Sequence, residues 1–238
     1  MRGLVVGLGE VGAALLRVLS AKYPTVGYDG QDGGPIPPAD ILHIAFPWQD
    51  GFVEKVQGYR EQSGARLVVV HSTVPVGTTR QIGGDVVHSP VHGVHPHLDL
   101  GLRTFVKYVG AVDPHVAHTV ALYLADAGIR ARTVESPETS ELSKLFLTTV
   151  YGLSILACKE MARECARHGV PMRVAYEDAL AAYNDGYRKL GMGHVAQPIL
   201  EPMPGTIGGH CVRANGALLG GFLGDLLGSW DDRYRDEP

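Results

Sequence analysis

The sequence predicts an α/β fold class: a parallel sheet covered by helices, followed by a smaller all-α domain with one long helix. Short apolar runs alternate with helical patterns over the first half of the chain, as in strands joined by crossover helices. A glycine-rich turn, Gly7 to Gly12, joins the first apolar run to the first helical pattern. In the second half, apolar residues recur at three- and four-residue steps from Ser136 to about His168.

The predicted strands are short, apolar and bounded by turn-forming residues. They are Leu4 to Val6, Thr25 to Tyr28, Ile41 to Ala45, Leu67 to Val70, Val86–Val87 and Phe105 to Val109. Parallel strands that are buried on both faces read as continuous apolar runs of this kind. Only Gly30 to Asp40 joins the second and third strands, and this segment holds three prolines. We therefore expect the usual crossover helix to be missing or vestigial there.

The long helix has clear start and stop signals. Ser136 suits the N-cap and Pro137 the first helical position, while Gly169 and Pro171 follow the pattern and end it. A second helix is expected from about Met172 to Leu190, and a Gly/Pro-rich loop then leads to Cys211. We place the domain boundary near Ser136. The two domains are residues 1–135, the sheet domain, and residues 136–238, a helical dimerisation and catalytic domain.

Composition excludes several classes of protein. Hydrophobic residues make up 45% and charged residues 19% of the chain, which is typical of a globular protein. The net charge is -4 and no long basic stretch occurs, so no nucleic-acid partner is expected. Three scattered cysteines form neither a disulfide framework nor a metal-binding pattern. We see no signal peptide and no apolar run long enough for a bilayer, so we expect a cytoplasmic protein with free thiols and no membrane partner.

The turn after the first strand carries a dinucleotide-binding pattern. Gly7-Leu8-Gly9-Glu10-Val11-Gly12 is GxGxxG, placed between a strand and a helix. The glycines allow a tight turn and the close approach of a pyrophosphate to the helix N-terminus. Asp29 ends the second predicted strand, where an acid binds the ribose hydroxyls and repels a 2′-phosphate. The pattern predicts a Rossmann-type domain that binds NAD rather than NADP; the alternative is a tight glycine turn with an acidic loop residue.

Two further segments follow predicted strands at the edge where ligands bind in open α/β sheets. Ala45-Phe46-Pro47 ends the third strand and Ser72-Thr73 follows the fourth. We assign all five residues to the cofactor site, with Thr73 also a catalytic candidate. The alternative is that Ser72 and Thr73 cap the next helix. Capping by Ser72 would still allow Thr73 a role in the site.

The chain resembles the UDP-glucose/GDP-mannose dehydrogenases of the 6-phosphogluconate dehydrogenase-like superfamily. The segments VVGLGEVG, ADILHIAFP, HSTVPVGTT, SELSKLFLTTVYGLSILACKEMA and GGHCVRANGAL occur in the family's order and cover nearly the whole chain. The resemblance implies oxidation of a sugar primary alcohol to a carboxylate with two NAD and a cysteine. It also implies that the long helix lies at a subunit interface, which together with its wide apolar surface predicts a homodimer.

The resemblance assigns the chemistry to two residues. Cys211 matches the nucleophile, which traps an aldehyde as a thiohemiacetal and then forms a thioester. It precedes a probable helix, and a helix N-terminus favours a thiolate. Lys144 matches the catalytic lysine that stabilises a developing oxyanion. The alternative for Cys211 is a buried structural cysteine, which is also the state expected of Cys158 and Cys165. The alternative for Lys144 is a surface lysine paired with Glu141 or other neighbours.

Several positions depart from the family. Thr148 replaces an asparagine four residues after the lysine, and Asn215 replaces an aspartate four residues after the cysteine. Val91 and His95 stand at the two glutamate positions of an acidic segment. The family's C-terminal domain, which helps to hold the nucleotide, has no counterpart in this sequence. Proton handling and a UDP-sugar substrate therefore do not follow from the resemblance.

The histidines offer a further possibility. His88, His92, His95 and His97 fall within ten residues. They could bind Zn²⁺, but only Asp99 adds a nearby ligand, and we predict no metal site. Histidines that face an anionic substrate group, or that are simply solvated, fit better. His95 could instead replace the missing glutamate as general base.

Three hypotheses about function remain. The first is an NAD-dependent alcohol-to-acid dehydrogenase that acts on a small molecule through Cys211, Lys144, Thr73, Thr148, Asn215 and His95. The second is a two-electron dehydrogenase or reductase that uses Lys144 without covalent catalysis. The third is a non-catalytic NAD-binding protein.

Overall fold

The computed structural model describes residues 1–30, 34–93, 96–207 and 210–235. The chain divides into two compact units, Met1–Leu145 and Phe146–Pro238. The division falls inside the long helix, beyond the boundary predicted at Ser136. Each unit is considered by itself below.

The first unit is built on one sheet. In the described residues the sheet has seven strands in the order β2-β1-β3-β4-β5-β6-β7. They are β1 (Gly3–Val6), β2 (Thr25–Tyr28), β3 (Ile41–Ile44), β4 (Leu67–Val70), β5 (Val86–His88), β6 (Lys107–Ala111) and β7 (Ala131–Val134). The order reverses beside β1, which is the arrangement of a doubly wound Rossmann-type sheet. The predicted fold class is confirmed.

Two details of the predicted sheet were wrong. The prediction of an all-parallel sheet fails at β6, which pairs antiparallel with β5, Val87 opposite Ala111. The connection between them stays at the carboxyl edge of the sheet, so β6 has to run back. The strand β7 was not predicted, because at the sheet edge it is only partly buried and its sequence, ARTV, lacks an apolar run.

Helices cover the sheet and build the second unit. They are α1 (Glu10–Ser20), α2 (Phe52–Ser63), α3 (Thr78–Ile82), α4 (Leu98–Thr104), α5 (Pro114–Asp126), α6 (Pro137–Arg167), α7 (Ala179–Lys189), α8 (His210–Leu219) and α9 (Gly221–Asp232). No helix occurs in the described part, 34–40, of the segment between β2 and β3. The proline-rich connection was therefore predicted correctly for those residues.

Alternate residues of the strands build two separate cores. Val5, Val69 and Val87 face one side and pack with residues of α1 and α5. Leu4, Ile44 and other residues of opposite parity face the other side, where they pack with residues of α2. Burial on both faces explains the continuous apolar runs in the sequence.

The long helix α6 begins and ends where the sequence predicts. Thr139 N–H donates to Ser136 Oγ at 3.2 Å, so Ser136 caps the helix. At the other end Gly169 has φ 66°, the left-handed conformation in which helices commonly terminate. The next helix was predicted as continuous from Met172 to Leu190, but Arg173–Asp178 is π-helical and α7 begins only at Ala179.

By length and composition α6 could cross a membrane, which the sequence analysis did not foresee. It is the one such helix among the described residues, with a mean hydropathy of 1.3 over an 18-residue window that is 33% buried in the protein. The segment of α6 without charged residues lies between Lys144 and Lys159. This segment is shorter than the ~20 apolar residues of a spanning helix. A single helix of this kind is weak evidence for a membrane span, because the core helix of a soluble protein can meet the same criteria.

The second unit packs helices around glycines. A Cβ on Gly224 would lie 2.3 Å from the carbonyl oxygen of Gly216, so α8 and α9 approach backbone to backbone. A Cβ on Gly152 of α6 would lie 2.5 Å from Val212 Cγ1. A small core of Leu156, Ile207, Leu227 and Tyr234 results.

Candidate functional site

The three glycines of the fingerprint have different structural roles. Gly7 has φ 88°, and a Cβ there would lie 2.7 Å from Phe46 N. A Cβ on Gly12 would lie 1.8 Å from Gly7 O, so Gly12 lets α1 pack against the turn. A Cβ on Gly9 would meet no atom within 4 Å. The protein's own packing therefore requires glycine at positions 7 and 12 but leaves the space over Gly9 open.

A cavity of 760 Å³ lies beside this turn. Most of the predicted cofactor-binding residues line it, together with five residues that sequence reasoning missed. The lining residues are Val6, Gly7, Leu8, Gly9, Glu10, Val11, Asp29, Gly30, Ala45, Phe46, Pro47, Gln49, Lys55 and Tyr59. The structure thus brings the fingerprint, the acid after β2 and the segment after β3 to one cavity.

Aromatic rings form part of the wall around Asp29. Tyr59 of α2 lies edge-on to Tyr28 at 6.1 Å between ring centroids and 6.0 Å from Phe46. The pKa of Tyr59 is raised by burial and also by Tyr28 and Asp29, which indicates that the Asp29 carboxylate is near. Tyr59 could not be assigned from sequence, since the connection after β2, the strand β3 and most of α2 separate it from Asp29.

Ser72 supports the segment after β3 rather than capping a helix. Its hydroxyl donates to Phe46 O at 2.6 Å. The following helix, α3, begins at Thr78 behind Gly77 and has no side-chain cap from Ser72 or Thr73, so the capping alternative was wrong. Neither Ser72 nor Thr73 is among the residues that line the cavity. Thr73 is partly buried directly after β4.

Glu141 is a buried site residue that sequence reasoning considered only as a partner of Lys144. Its carboxylate accepts hydrogen bonds from Gly77 N at 2.6 Å, Thr79 N at 2.9 Å and Thr79 Oγ1 at 2.7 Å. Burial raises the pKa of Glu141, against the effect of these donors. The carboxylate therefore ties α6 to Gly77 and to Thr79 at the start of α3.

Two lysines hold the loop after β5 by three successive carbonyl groups. Lys144 Nζ donates to Val91 O at 2.9 Å. Lys107 Nζ donates to Ser89 O at 2.5 Å and to Pro90 O at 2.8 Å. Lys107 is completely enclosed, and burial and the nearby Lys144 lower its pKa well below the usual value. The sequence does not reveal that Lys107 is buried, because the burial of a strand residue depends on the strand order.

A row of hydrogen bonds crosses the sheet beneath this loop. His71 Nδ1 lies 3.0 Å from Ser89 O, and since a carbonyl only accepts, this nitrogen carries the proton. His71 Nε2 therefore accepts from His43 Nδ1 at 3.0 Å, and His43 Nε2 accepts from the Tyr123 hydroxyl at 3.3 Å. Burial lowers the pKa of His43 to about 3, so both rings are neutral at physiological pH.

The described histidines of the cluster differ in burial and in hydrogen bonding. His88 is buried, its Nε2 donates to Ser72 O at 3.1 Å and its Nδ1 accepts from Ser140 Oγ at 2.8 Å. His92 is partly exposed, and burial, Lys144 and Lys107 lower its pKa to about 4. His97 is exposed, and His95 lies outside the described residues. Within the described ranges no group of three or more His, Cys, Asp or Glu side chains is placed to hold a metal ion.

In the second unit Cys211 is exposed. It is the second residue of α8 and does not precede the helix, as the sequence analysis expected. Gly208 and Gly209, which the sequence analysis placed ahead of it, lie outside the described residues. Cys158 lies within α6 as expected, where burial raises its pKa and its thiol donates to Leu200 O at 3.3 Å. Cys165 is partly buried in the same helix.

The two departures from the family pattern in this unit are in contact. Asn215 is almost completely buried, and its amide donates to Thr148 Oγ1 at 3.2 Å. An aspartate at position 215 would accept a hydrogen bond from a hydroxyl at position 148. Here the Asn215 amide instead donates a hydrogen bond to the Thr148 hydroxyl. The side chains at the two positions are therefore chemically matched to each other.

Buried polar residues anchor the loop that leads to α8. Lys159 Nζ donates to Gly205 O. The carboxylate of Asp231 accepts from Ile207 N at 2.7 Å and from Arg213 Nη1 at 3.0 Å. Asp231 is fully buried, so its two partners supply the compensation that a buried charge requires.

A second cavity, of 660 Å³, lies at the opposite edge of the sheet. It is lined by residues at the amino ends of the strands, among them Asp40, Leu67 and Asp85. None of the predicted site residues contributes to it. Ligands of open α/β sheets bind outside the carboxyl ends of the strands, and we therefore place the candidate site at the cavity over Gly9.

No protein-family model matches the sequence, and no curated protein matches it. Several solved structures have the same fold. A UDP-D-ManNAc dehydrogenase from Pyrococcus horikoshii is 20% identical with a TM-score of 0.81, over 98% of this chain and 69% of that one. A UDP-glucose dehydrogenase from Pyrobaculum islandicum is 18% identical with a TM-score of 0.71, over 98% of this chain and 68% of that one.

A third structure matches over almost its entire length. The 3-hydroxyisobutyrate dehydrogenase of Mycobacterium tuberculosis is 15% identical with a TM-score of 0.71, over 98% of this chain and 93% of that one. The structural neighbours thus include nucleotide-sugar dehydrogenases and a hydroxy-acid dehydrogenase. The chain has the fold that its sequence motifs implied.

Proposed function

We propose that this protein is an NAD-dependent dehydrogenase that oxidises the primary alcohol of a sugar-like small molecule to a carboxylate. The observation that carries the proposal is the open space over Gly9 at the N-terminus of α1. A glycine that the protein's own packing does not need is explained by a ligand that approaches its backbone closely. The strand, turn, helix and terminal acid around it match a dinucleotide site.

The residues around the cavity suit the parts of NAD. The N–H groups at the start of α1 have no side-chain cap and can receive a pyrophosphate. Asp29 would accept hydrogen bonds from the adenosine ribose and repel a 2′-phosphate, which favours NAD over NADP. When bound, NAD supplies a hydride acceptor. The other groups needed for oxidation of an alcohol must come from the protein.

Cys211 is the proposed nucleophile for the second oxidation. Loss of a hydride and a proton turns the alcohol into an aldehyde, and the Cys211 thiolate adds to its carbonyl carbon to form a thiohemiacetal. Loss of a second hydride and the hydroxyl proton leaves a thioester. Water then displaces the thiolate and releases the carboxylic acid. The exposure of Cys211 at the start of α8 supports this role.

By the resemblance, Lys144 stabilises negative charge on the reacting oxygen. Thr73, Thr148 and Asn215 are further catalytic candidates. Asn215 cannot take up a proton as the family's aspartate can. The general base for hydrolysis is assigned to His95, which the sequence places at a family glutamate position.

Replacing Gly9 by alanine tests the cofactor site. The added methyl group meets no protein atom within 4 Å, and Gly9 has φ -62°, which alanine adopts freely. We expect G9A to unfold at the wild-type temperature but to lose NAD binding by at least about tenfold in calorimetric titration. Gly186→Ala, at an equally open position in α7, is the control that keeps NAD affinity. Wild-type NAD affinity in G9A, or tighter binding of NADP than of NAD by the wild type, would contradict the assignment.

Thiol labelling tests Cys211. We expect iodoacetamide to alkylate Cys211 faster than Cys158, whose thiol is buried and hydrogen-bonded and has a raised pKa. Cys211→Ser should accumulate aldehyde and form no acid, while Cys165→Ser is the control that keeps acid production. If Cys211→Ser still yields acid with two NADH per substrate, the covalent mechanism is wrong.

A second candidate is a two-electron hydroxy-acid dehydrogenase that uses Lys144 without covalent catalysis. The match to almost the whole of a 3-hydroxyisobutyrate dehydrogenase favours it. The two candidates differ in stoichiometry. A hydroxy-acid dehydrogenase forms one NADH per substrate, whereas the alcohol-to-acid dehydrogenase forms two. Intact NAD binding without turnover of any alcohol would instead indicate a non-catalytic NAD-binding protein.

A further inference from the structure

The helix α2 contributes two side chains to the wall of the 760 Å³ cavity, Lys55 and Tyr59. They are four residues apart, so they lie on one face of the helix. Lys55 is exposed, whereas Tyr59 is partly buried. Asp29 and Gly30, which directly follow β2, line the same cavity. The side chains of α2 therefore share a cavity with the acid that is expected to bind the adenosine ribose.

The ring of Tyr59 is held in place by other aromatic rings. It lies 6.1 Å from the ring of Tyr28 and 6.0 Å from that of Phe46, measured between centroids. Both neighbours are anchored. The Tyr28 hydroxyl donates to Gly34 O at 3.0 Å, and Phe46 O accepts from Ser72 Oγ at 2.6 Å. Because the ring of Tyr59 is already fixed by packing, it loses little conformational freedom when it contacts a ligand.

The hydroxyl of Tyr59 occupies the space beside Gly30. A Cβ on Gly30 would lie 2.7 Å from Tyr59 Oη, the one atom it would meet among the described residues beyond its chain neighbours. The hydroxyl makes no hydrogen bond to any other residue in the described ranges. Burial, and then Tyr28 and Asp29, raise the pKa of Tyr59, so the phenol stays protonated at neutral pH. A hydrogen-bond donor is therefore available at this point of the cavity wall.

We propose that Tyr59 is a specificity-determining residue of the cofactor site, whose hydroxyl donates a hydrogen bond to a hydroxyl group of the adenosine ribose. This assignment rests on the proposed function, since it takes NAD as the ligand. An acid at the end of the second strand accepts hydrogen bonds from the ribose in dinucleotide sites, and Tyr59 adds a donor beside it. Gly30 carries no side chain, so the contact comes from α2 and not from the residue after Asp29.

A hydrogen bond to the ribose can be distinguished from simple ring packing with matched ligands. ADP contains the adenosine and the pyrophosphate of NAD, and 2′,3′-dideoxy-ADP lacks only the two ribose hydroxyls. Tyr59→Phe removes the hydroxyl but keeps the ring that packs against Tyr28 and Phe46. Loss of a ribose contact weakens ADP binding alone, whereas a packing defect weakens the binding of both ligands.

Calorimetric titration of the full chain measures these affinities. We expect Tyr59→Phe to weaken the binding of ADP and NAD by about fivefold, as loss of one neutral hydrogen bond does. Its affinity for 2′,3′-dideoxy-ADP should equal that of the wild type. Tyr108→Phe, on β6 and outside the cavity lining, is the control that binds all three ligands as the wild type does. Wild-type affinity for ADP in Tyr59→Phe, or equal weakening of both ADP ligands, overturns the role of Tyr59.

A double-mutant cycle with Gly30→Ala tests the position of the hydroxyl. The added methyl group would meet Tyr59 Oη and displace it, so Gly30→Ala should also weaken ADP binding by about fivefold. In the Tyr59→Phe background the same substitution should have little further effect. Gly34→Ala, where a Cβ would meet no atom within 4 Å, is the control that keeps ADP affinity. Independent effects of the two substitutions would contradict a contact made beside Gly30.

The same titrations separate failure of this inference from failure of the proposed function. Binding of NAD and ADP by the wild type that Tyr59→Phe leaves unchanged refutes the role of Tyr59 alone. ADP binding that depends on the Tyr59 hydroxyl, without turnover of any alcohol, supports the inference and refutes the dehydrogenase. A wild-type protein that binds neither NAD nor ADP refutes both.

Discussion

At the residue scale, several buried polar groups of this protein are hydrogen-bonded to specific partners far away in the chain. Glu141 is the clearest case, since one carboxylate accepts from two N–H groups and one hydroxyl of a loop more than 60 residues earlier in the chain. The cost of burying such a group is offset only when all its partners are present. A small chemical change at this position should therefore have a large effect.

We predict that Glu141→Gln lowers the free energy of unfolding by about 1–3 kcal/mol, because an amide NH₂ would replace one of the two accepting oxygens and face an N–H donor. The measurement is urea unfolding at neutral pH. Glu138→Gln is the matched control on the same helix. Its partner is Arg80 at 2.6 Å in a partly exposed ion pair, so the change should cost no more than about 1 kcal/mol. Equal effects of the two substitutions would contradict the role assigned to Glu141.

At the element scale, α6 presents an apolar surface that its own unit leaves uncovered. Phe146, Leu147, Val150 and Tyr151 are all exposed. They form one strip, because residues four apart are neighbours on a helix. Contiguous exposed apolar surface of this kind marks an interaction site in soluble proteins. The homodimer expected from the sequence stays a prediction, and this strip is where we expect its interface.

Replacing Leu147 by aspartate should convert a dimer into a monomer, because the new charge would be buried without a partner in the interface. Light scattering at micromolar concentration measures the change. Leu147 is 61% exposed, and Leu122 of α5 is similarly exposed at 58%. Leu122→Asp is therefore a control that should leave the dimer intact. A monomeric wild-type protein would exclude the dimer altogether.

At the scale of the whole molecule, buried neutral histidines link folding to pH. Burial lowers the pKa of His43 and of His88 to about 3 and that of His71 well below its usual value. The unfolded chain binds protons at these residues near pH 6.5, whereas the folded protein does not. The unfolded state therefore binds more protons between pH 6.5 and about 3, and stability falls as the pH falls through this range.

We predict that the free energy of unfolding decreases below about pH 6.5 by up to ~1.4 kcal/mol per pH unit for each of these histidines. Urea unfolding at a series of pH values measures the slope. His88→Gln, which keeps a donor toward Ser72 O, should reduce the slope by one histidine's share. His118→Gln, at an exposed position of α5, should leave it unchanged. A stability independent of pH between about 5 and 7.5 would refute the linkage.

The sequence by itself determined the features that depend on neighbouring residues. The turn from Gly7 to Gly12, the strands Thr25–Tyr28 and Leu67–Val70 and the start of α6 at Pro137 follow from local rules of backbone geometry, periodicity and capping. The same rules placed Asp29 and Ala45 to Pro47 on one cavity, because parallel strands end at the same edge of the sheet.

Only the tertiary structure decided which side chains are buried and what they contact. Lys107, His43 and Glu141 look like surface residues in the sequence, and each is hydrogen-bonded to groups far away in the chain. The antiparallel strand β6 and the edge strand β7 also depended on the path of the chain and not on local pattern. Burial and long-range hydrogen bonding arise when the strands assemble, so no local rule could assign these contacts.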